Sequence, residues 1–165
     1  MNQNLVALIA GVSISLATPF SAEAEPDFRD GSSAIFPADR AELLLEQCSR
    51  PTPRGVTGTW TPTPEQISEL EPKLAELIDA HLSDRPRLRL SHENYGRQYG
   101  GLVLDGQKVI YINGVYDRKT NWQGEPTSID YSQQIFVCDG GASYFGVVYD
   151  VEAGVFSDFY FNGHG

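Results

Sequence analysis

From Ile67 to Ile78 the apolar residues recur every three or four positions: Ile67, Leu70, Leu74, Leu77 and Ile78, with His81 one turn further on. That spacing lays one face of an α-helix against a core. The start is marked by Thr63-Pro64-Glu65-Gln66, a capping-box pattern with proline at the first helical position and glutamine three residues after the cap. Pro72 sits in the middle, where it removes a backbone hydrogen bond and crowds the carbonyl of Ser68, so a kink or break is expected there. His81 falls on the apolar face near the C-terminal end, where a half-buried packing role is expected. A shorter stripe of Ala41, Leu43, Leu44, Leu45 and Cys48 follows Pro37 and predicts an earlier helix over about 37–48.

After Asp84 the period changes from 3.6 to 2. Arg85, Arg87 and Arg89 alternate with Pro86, Leu88 and Leu90, which predicts an exposed edge strand, with an anion-binding stripe as the sharper reading. "GGLVLDGQKVIYING" predicts a hairpin closed by Asp105-Gly106, the pair suited to a two-residue type I′ turn. "QQIFVCD" predicts a further strand. "SYFGVVYD" and "VFSDFYF" read as two more, joined by a four-residue loop, Val151 to Gly154. "SRPTPRGVTGTWTPTP" reads as an irregular crossing pinned by Trp60, and "DRKTNWQGEPTS" as a polar loop carrying Trp122. The order predicts an α+β fold. Two N-terminal helices, the second kinked at Pro72, pack on one face of an antiparallel meander of five to six strands.

The N-terminus changes the setting. Leu5 to Leu16 is an apolar run of signal-peptide length, too short to span a bilayer, and small residues Ala22 and Ala24 precede an expected cut after position 24. Residues 2–4 carry no positive charge, which departs from the usual pattern. The expected organisation is a signal peptide over 1–24, a flexible segment over 25–36 and a single α+β domain over 37–165. An exported protein in the periplasm or outside the cell follows, without a membrane anchor once the signal is removed.

Net charge is −10, and no lysine or arginine follows Lys119. That field repels a nucleic-acid backbone, so nucleic acid is not an expected partner, whereas a basic protein is. The bases are concentrated between Arg85 and Lys119, as expected where neighbouring elements complement one another.

Two cysteines in an exported chain predict a Cys48–Cys138 disulfide. The competing role for Cys138, a catalytic nucleophile, wants a cation nearby, but Asp139 adjoins it and raises a thiol's pKa. Gly140 and Gly141 then turn the chain after the bridged segment. No CxxC, HExxH, calcium-loop or G-x-S-x-G pattern is present, so no catalytic residue, metal site or cofactor is expected. "NYGRQYGG" places Tyr95, Arg97 and Tyr99 on one face of an extended segment, a composition suited to recognition, with Trp122 as a second binding candidate. The reading is a small exported non-enzymatic binding protein, in its most specific form an inhibitor or immunity-type partner of a basic envelope enzyme or toxin. The alternative is a secreted hydrolase using acidic residues near the aromatic loops.

Overall fold

A computed structural model describes residues 32–120 and 123–164. The expected signal peptide, most of the segment expected to be flexible, and Trp122 lie outside the described residues. The elements are β1 (Ser33–Ile35), a 3-10 helix (Ala38–Leu45), β2 (Val56–Trp60), α1 (Pro64–Ser83), β3 (Tyr95–Leu104), β4 (Gln107–Tyr116), β5 (Tyr144–Asp150) and β6 (Val155–Phe161). The mixed helix-and-strand class is the one read from the sequence; the arrangement differs from it.

Strands β3 to β6 form a four-stranded antiparallel meander. Asp105 and Gly106, both at positive φ, turn β3 into β4, and residues 151–154 turn β5 into β6. The six-stranded sheet is completed along the outer edge of β3, which two short strands share. β1 runs parallel to β3 opposite Arg97–Tyr99, and β2 runs antiparallel to it opposite Gly101–Leu104. The meander is therefore shorter than expected and the sheet is not purely antiparallel. The stretch read as an irregular crossing contains β2, and Trp60, at its end, donates its indole N–H to Leu102 O at 3.1 Å. The segment expected to be flexible up to residue 36 contributes β1, and Phe36 is buried because its N–H bonds Tyr99 O at 2.8 Å and seats it in the core.

The helices do not share a face. α1 covers one side, where Ile67, Leu70, Leu74, Ile78 and Leu82 pack on Tyr95, Tyr99, Ile110, Ile112, Phe145 and Val147. The 3-10 helix covers the other, where Ala41 and Leu44 pack with Phe36, Leu102, Tyr111 and Val148. Two-residue alternation along β3, β4 and β5 supplies both sets. The Thr63 capping box forms as read, with Gln66 N donating to Thr63 Oγ1 and Gln66 Oε1 accepting from Thr63 N. α1 continues through Pro72 for 20 residues. Pro72 is exposed on the outer side, so the Ser68 carbonyl it deprives of a donor faces toward water. The first helix is shorter than expected, a 3-10 helix with Pro37 as its cap.

Two expected strands are absent. Residues 85–89 form a short 3-10 turn at Pro86–Leu88 followed by Arg89 at φ 51°, and their side chains are exposed. Alternation alone did not make a strand there: Pro86 lacks the N–H that a ladder needs, and Arg85 instead lies over the ring of Phe161 in the edge strand β6 at 4.9 Å. "QQIFVCD" is likewise irregular: the outer edge of β3 is already occupied, so the run crosses the sheet face and Phe136 is left 52% exposed.

Close contact fixes one position sharply. A Cβ at Gly114 of β4 would lie 2.0 Å from the Phe145 ring. Gly114→Ala is expected to lower stability by about 1–3 kcal/mol through overpacking, read as a shift of the urea midpoint.

Candidate functional site

The disulfide links Cys48 to Cys138 across 90 residues, with Cα atoms 5.0 Å apart. Both cysteines are consumed by it, so Cys138 is not a free nucleophile. The bond fits a chain that leaves the reducing cytosol.

Tyr95, Arg97 and Tyr99 do share one face of β3, as the alternation required, but that face lies under α1. Tyr95 is 3% and Tyr99 1% exposed. The Tyr99 hydroxyl donates to Glu71, and Arg97 Nη1 lies 3.4 Å from the other oxygen of the same carboxylate. The Tyr95 hydroxyl donates to Ala142 O. Burial pushes the Tyr95 phenol up to about 12 and also raises that of Tyr99 well above the usual value, reinforced there by Glu71. Both therefore stay protonated and act as hydrogen-bond donors in the core. The expected exposed recognition face is corrected accordingly: the apolar face of α1 needed large partners, and these tyrosines supply them.

The opposite face of the same strands holds a polar network that the sequence reading missed. Gln98 and Asn113 are directly opposite in register. Gln98 Nε2 donates to Tyr131 O and Gln133 O at 2.7 and 2.6 Å, while its Oε1 accepts from Ile135 N at 3.3 Å. Asn113 Nδ2 reaches Ile135 O, and Asn162 Nδ2 reaches Val137 O and Asp139 O. Side-chain amides thus do for residues 131–139 what a strand ladder would have done. Arg50, 6% exposed, closes the network: its guanidinium donates to Asn113 Oδ1, Asn162 Oδ1 and, at 3.2 Å, Tyr111 Oη. No carboxylate pairs with it among the described residues. Polar residues at core-facing positions of apolar strands were the available signal.

At the surface, His92 Nδ1 lies 2.7 Å from Asp79, whose other oxygen accepts the His92 N–H. Desolvation pushes the Asp79 carboxyl up, but these bonds and the charges of His92 and Arg97 outweigh it and hold it below the usual range. Neither residue lines the pocket or groove described next. His81 stacks on Phe159 at 4.0 Å beside a groove of about 350 Å³ between α1 and β6. A larger pocket, about 490 Å³, opens at the end of the sheet where β4 stops at Tyr116 and β5 starts at Tyr144. The outer face of α1 carries Glu65, Glu69 and Glu76, all exposed, on the side away from Leu70, Leu74 and Ile78. Among the described residues none of the three pairs with a cation, and Lys73 instead reaches Gly154 O at 3.4 Å. Among the described residues no group of three His, Cys, Asp or Glu side chains is placed to hold a metal ion.

The chain matches no protein-family model, and neither a curated protein nor a solved structure shows significant similarity to it.

Proposed function

We propose that this chain is a small exported, non-enzymatic binding protein that docks a basic protein, in the manner of an inhibitor or immunity partner of a basic envelope enzyme or toxin. The observation that carries the reading is the outer face of α1. Glu65, Glu69 and Glu76 stand in line over three turns of a capped helix, exposed and without cationic partners among the described residues. Such a row raises the encounter rate with a positive surface and loses that effect as salt screens it. The helix beneath is fixed by five buried side chains, so its carboxylates are presented on a rigid element.

The test is capture from an envelope extract on the immobilised, oxidised chain, run beside the triple variant Glu65→Gln, Glu69→Gln, Glu76→Gln. The substitutions sit on an exposed face and leave the core untouched. The expected result is a basic protein retained by the native chain at low salt, released by raising it, and retained at least about tenfold less by the variant. Equal retention by both chains would remove α1 as the docking face.

A further inference from the structure

We propose that the pocket at the end of the sheet binds a small carboxylate carried on a six-membered ring. Its walls are Tyr116, Arg118, Thr127, Ile129, Ser143 and Tyr144, and its volume of about 490 Å³ falls in the range of small-molecule sites. This site does not draw on the acidic face of α1.

Three observations select the ligand. The first is charge. Among the described residues Arg118 is the only ionised side chain in the wall and no carboxylate joins it, while the chain as a whole carries −10. A monoanion is matched by that one guanidinium, whereas a doubly charged phosphate would be under-neutralised in so acidic a protein.

The second is unspent hydrogen-bonding capacity. Elsewhere in this molecule Arg50 is engaged by the amide network and Arg97 by Glu71, and the exposed Arg85 lies over the ring of Phe161 at 4.9 Å. The neighbouring Lys119 is taken by Asp117. The Arg118 guanidinium has no protein partner among the described residues, and neither do the hydroxyls of Tyr116, Ser143 and Tyr144. The pocket wall therefore carries four polar side chains that no other described side chain occupies. A carboxylate meets the planar fork of an arginine with two parallel bonds, and ring hydroxyls meet the rest.

The third is shape. Tyr116 and Tyr144 bring two aromatic rings and Ile129 an aliphatic surface, which suit a flat or puckered ring rather than a linear acid. The arrangement is held in advance. Gly140 at φ 92° and Gly141 at φ 53° form the turn, and a Cβ at Gly140 would meet the Tyr144 ring at 2.6 Å. Thr127 Oγ1 donates to the carbonyl of Arg118, and Thr127 N bonds Lys119 O at 2.9 Å, so the Arg118 backbone is tied across its loop.

Both aromatic acids and sugar acids have this chemistry, and the probes separate them: 4-hydroxybenzoate for the first, galacturonate for the second. 4-Hydroxybenzamide and galactose serve as neutral counterparts. The experiment follows backbone amide shifts of the oxidised, nitrogen-15-labelled full chain on titration with each. The expected result is saturable movement of the Arg118, Ser143 and Tyr144 amides with one acid. Its neutral counterpart should bind about tenfold or more weakly, since a charge-assisted pair is lost. Arg118→Gln should abolish the response, and Tyr144→Phe should weaken it severalfold with an otherwise unchanged spectrum. Arg118 is exposed, so its variant keeps the native spectrum and failure to bind is not failure to fold. Movement with neither acid, equal movement with acid and neutral counterpart, or undiminished binding by Arg118→Gln would each overturn the assignment.

Discussion

Replacing Cys48 and Cys138 together by serine is expected to lower the stability of the fold by about 4–5 kcal/mol, the loop-entropy value for a closed segment of this length. The segment spans 90 residues and contains α1, β2, β3 and β4, so opening it frees most of the chain in the unfolded state. A domain of this size is stable by only about 5–15 kcal/mol, so the double variant should be marginal at body temperature. The bond also has a local role. Cys138 lies between Val137 and Asp139, whose carbonyls both accept from Asn162, while Ser49, next to Cys48, accepts from Gly163 N at 2.9 Å. Three distant stretches meet at this point. Urea unfolding of the oxidised chain and the double variant measures the difference, and coincident midpoints would contradict the tie's contribution.

Arg50→Ala is the second large effect, expected at about 3 kcal/mol or more. Each buried acceptor left without a donor costs about 1–3 kcal/mol, and Arg50 serves three: Asn113 Oδ1, Asn162 Oδ1 and Tyr111 Oη. Removing the guanidinium also removes a buried charge that has no ionic partner among the described residues, which offsets part of that loss. The acceptors win because Asn113 and Asn162 sit on two different stretches and cannot turn to bond one another without dropping the chain at 135–139. Arg50→Lys, which keeps the charge but not the fork, should recover only part of the loss. Burial raises the Tyr111 phenol while the Arg50 charge pulls it down, so its titration should move further up in Arg50→Ala. An unchanged urea midpoint would show that the network is ornamental. Because Cys48 and Arg50 anchor the same stretches, losses from the disulfide variant and from Arg50→Ala should not add.

Periodicity was informative where a segment's environment was local or repeated. α1 has both its capping box and its buried stripe written in consecutive residues, and the β3–β4 and β5–β6 hairpins have their turns and arms side by side. The failures share a cause: strand composition does not say whether a segment will pair with an edge. "QQIFVCD" has the composition of a strand, yet the side-chain amides of Gln98, Asn113 and Asn162 hold it across the sheet face, and the outer edge of β3 is filled by β1 and β2, two segments too short to stand out. The arginine alternation at 85–89 folds into a 3-10 turn, with Arg85 laid over Phe161 of β6 rather than paired to it. Tyr95, Arg97 and Tyr99 were placed on one face correctly, but which face of a strand lies inward depends on where α1 docks, and that is not a local property. Gln98, Asn113 and Asn162 passed unremarked because a single amide in an apolar run looks like noise until its long-range partners are known. The pocket walls come from residues 116–118, 127–129 and 140–144, and nothing in their own sequence brings those stretches together.

The Cys48–Cys138 bond is the feature on which both the closure of the fold and the exported setting of the binding reading rest. Intact mass of the protein recovered from its own cells, alkylated before and after reduction, addresses it directly. The expected result is no label on the native chain and two labels per chain once it is reduced. A chain that takes label without reductant would contradict the tie, and Cys138 would stand again as a candidate reactive thiol.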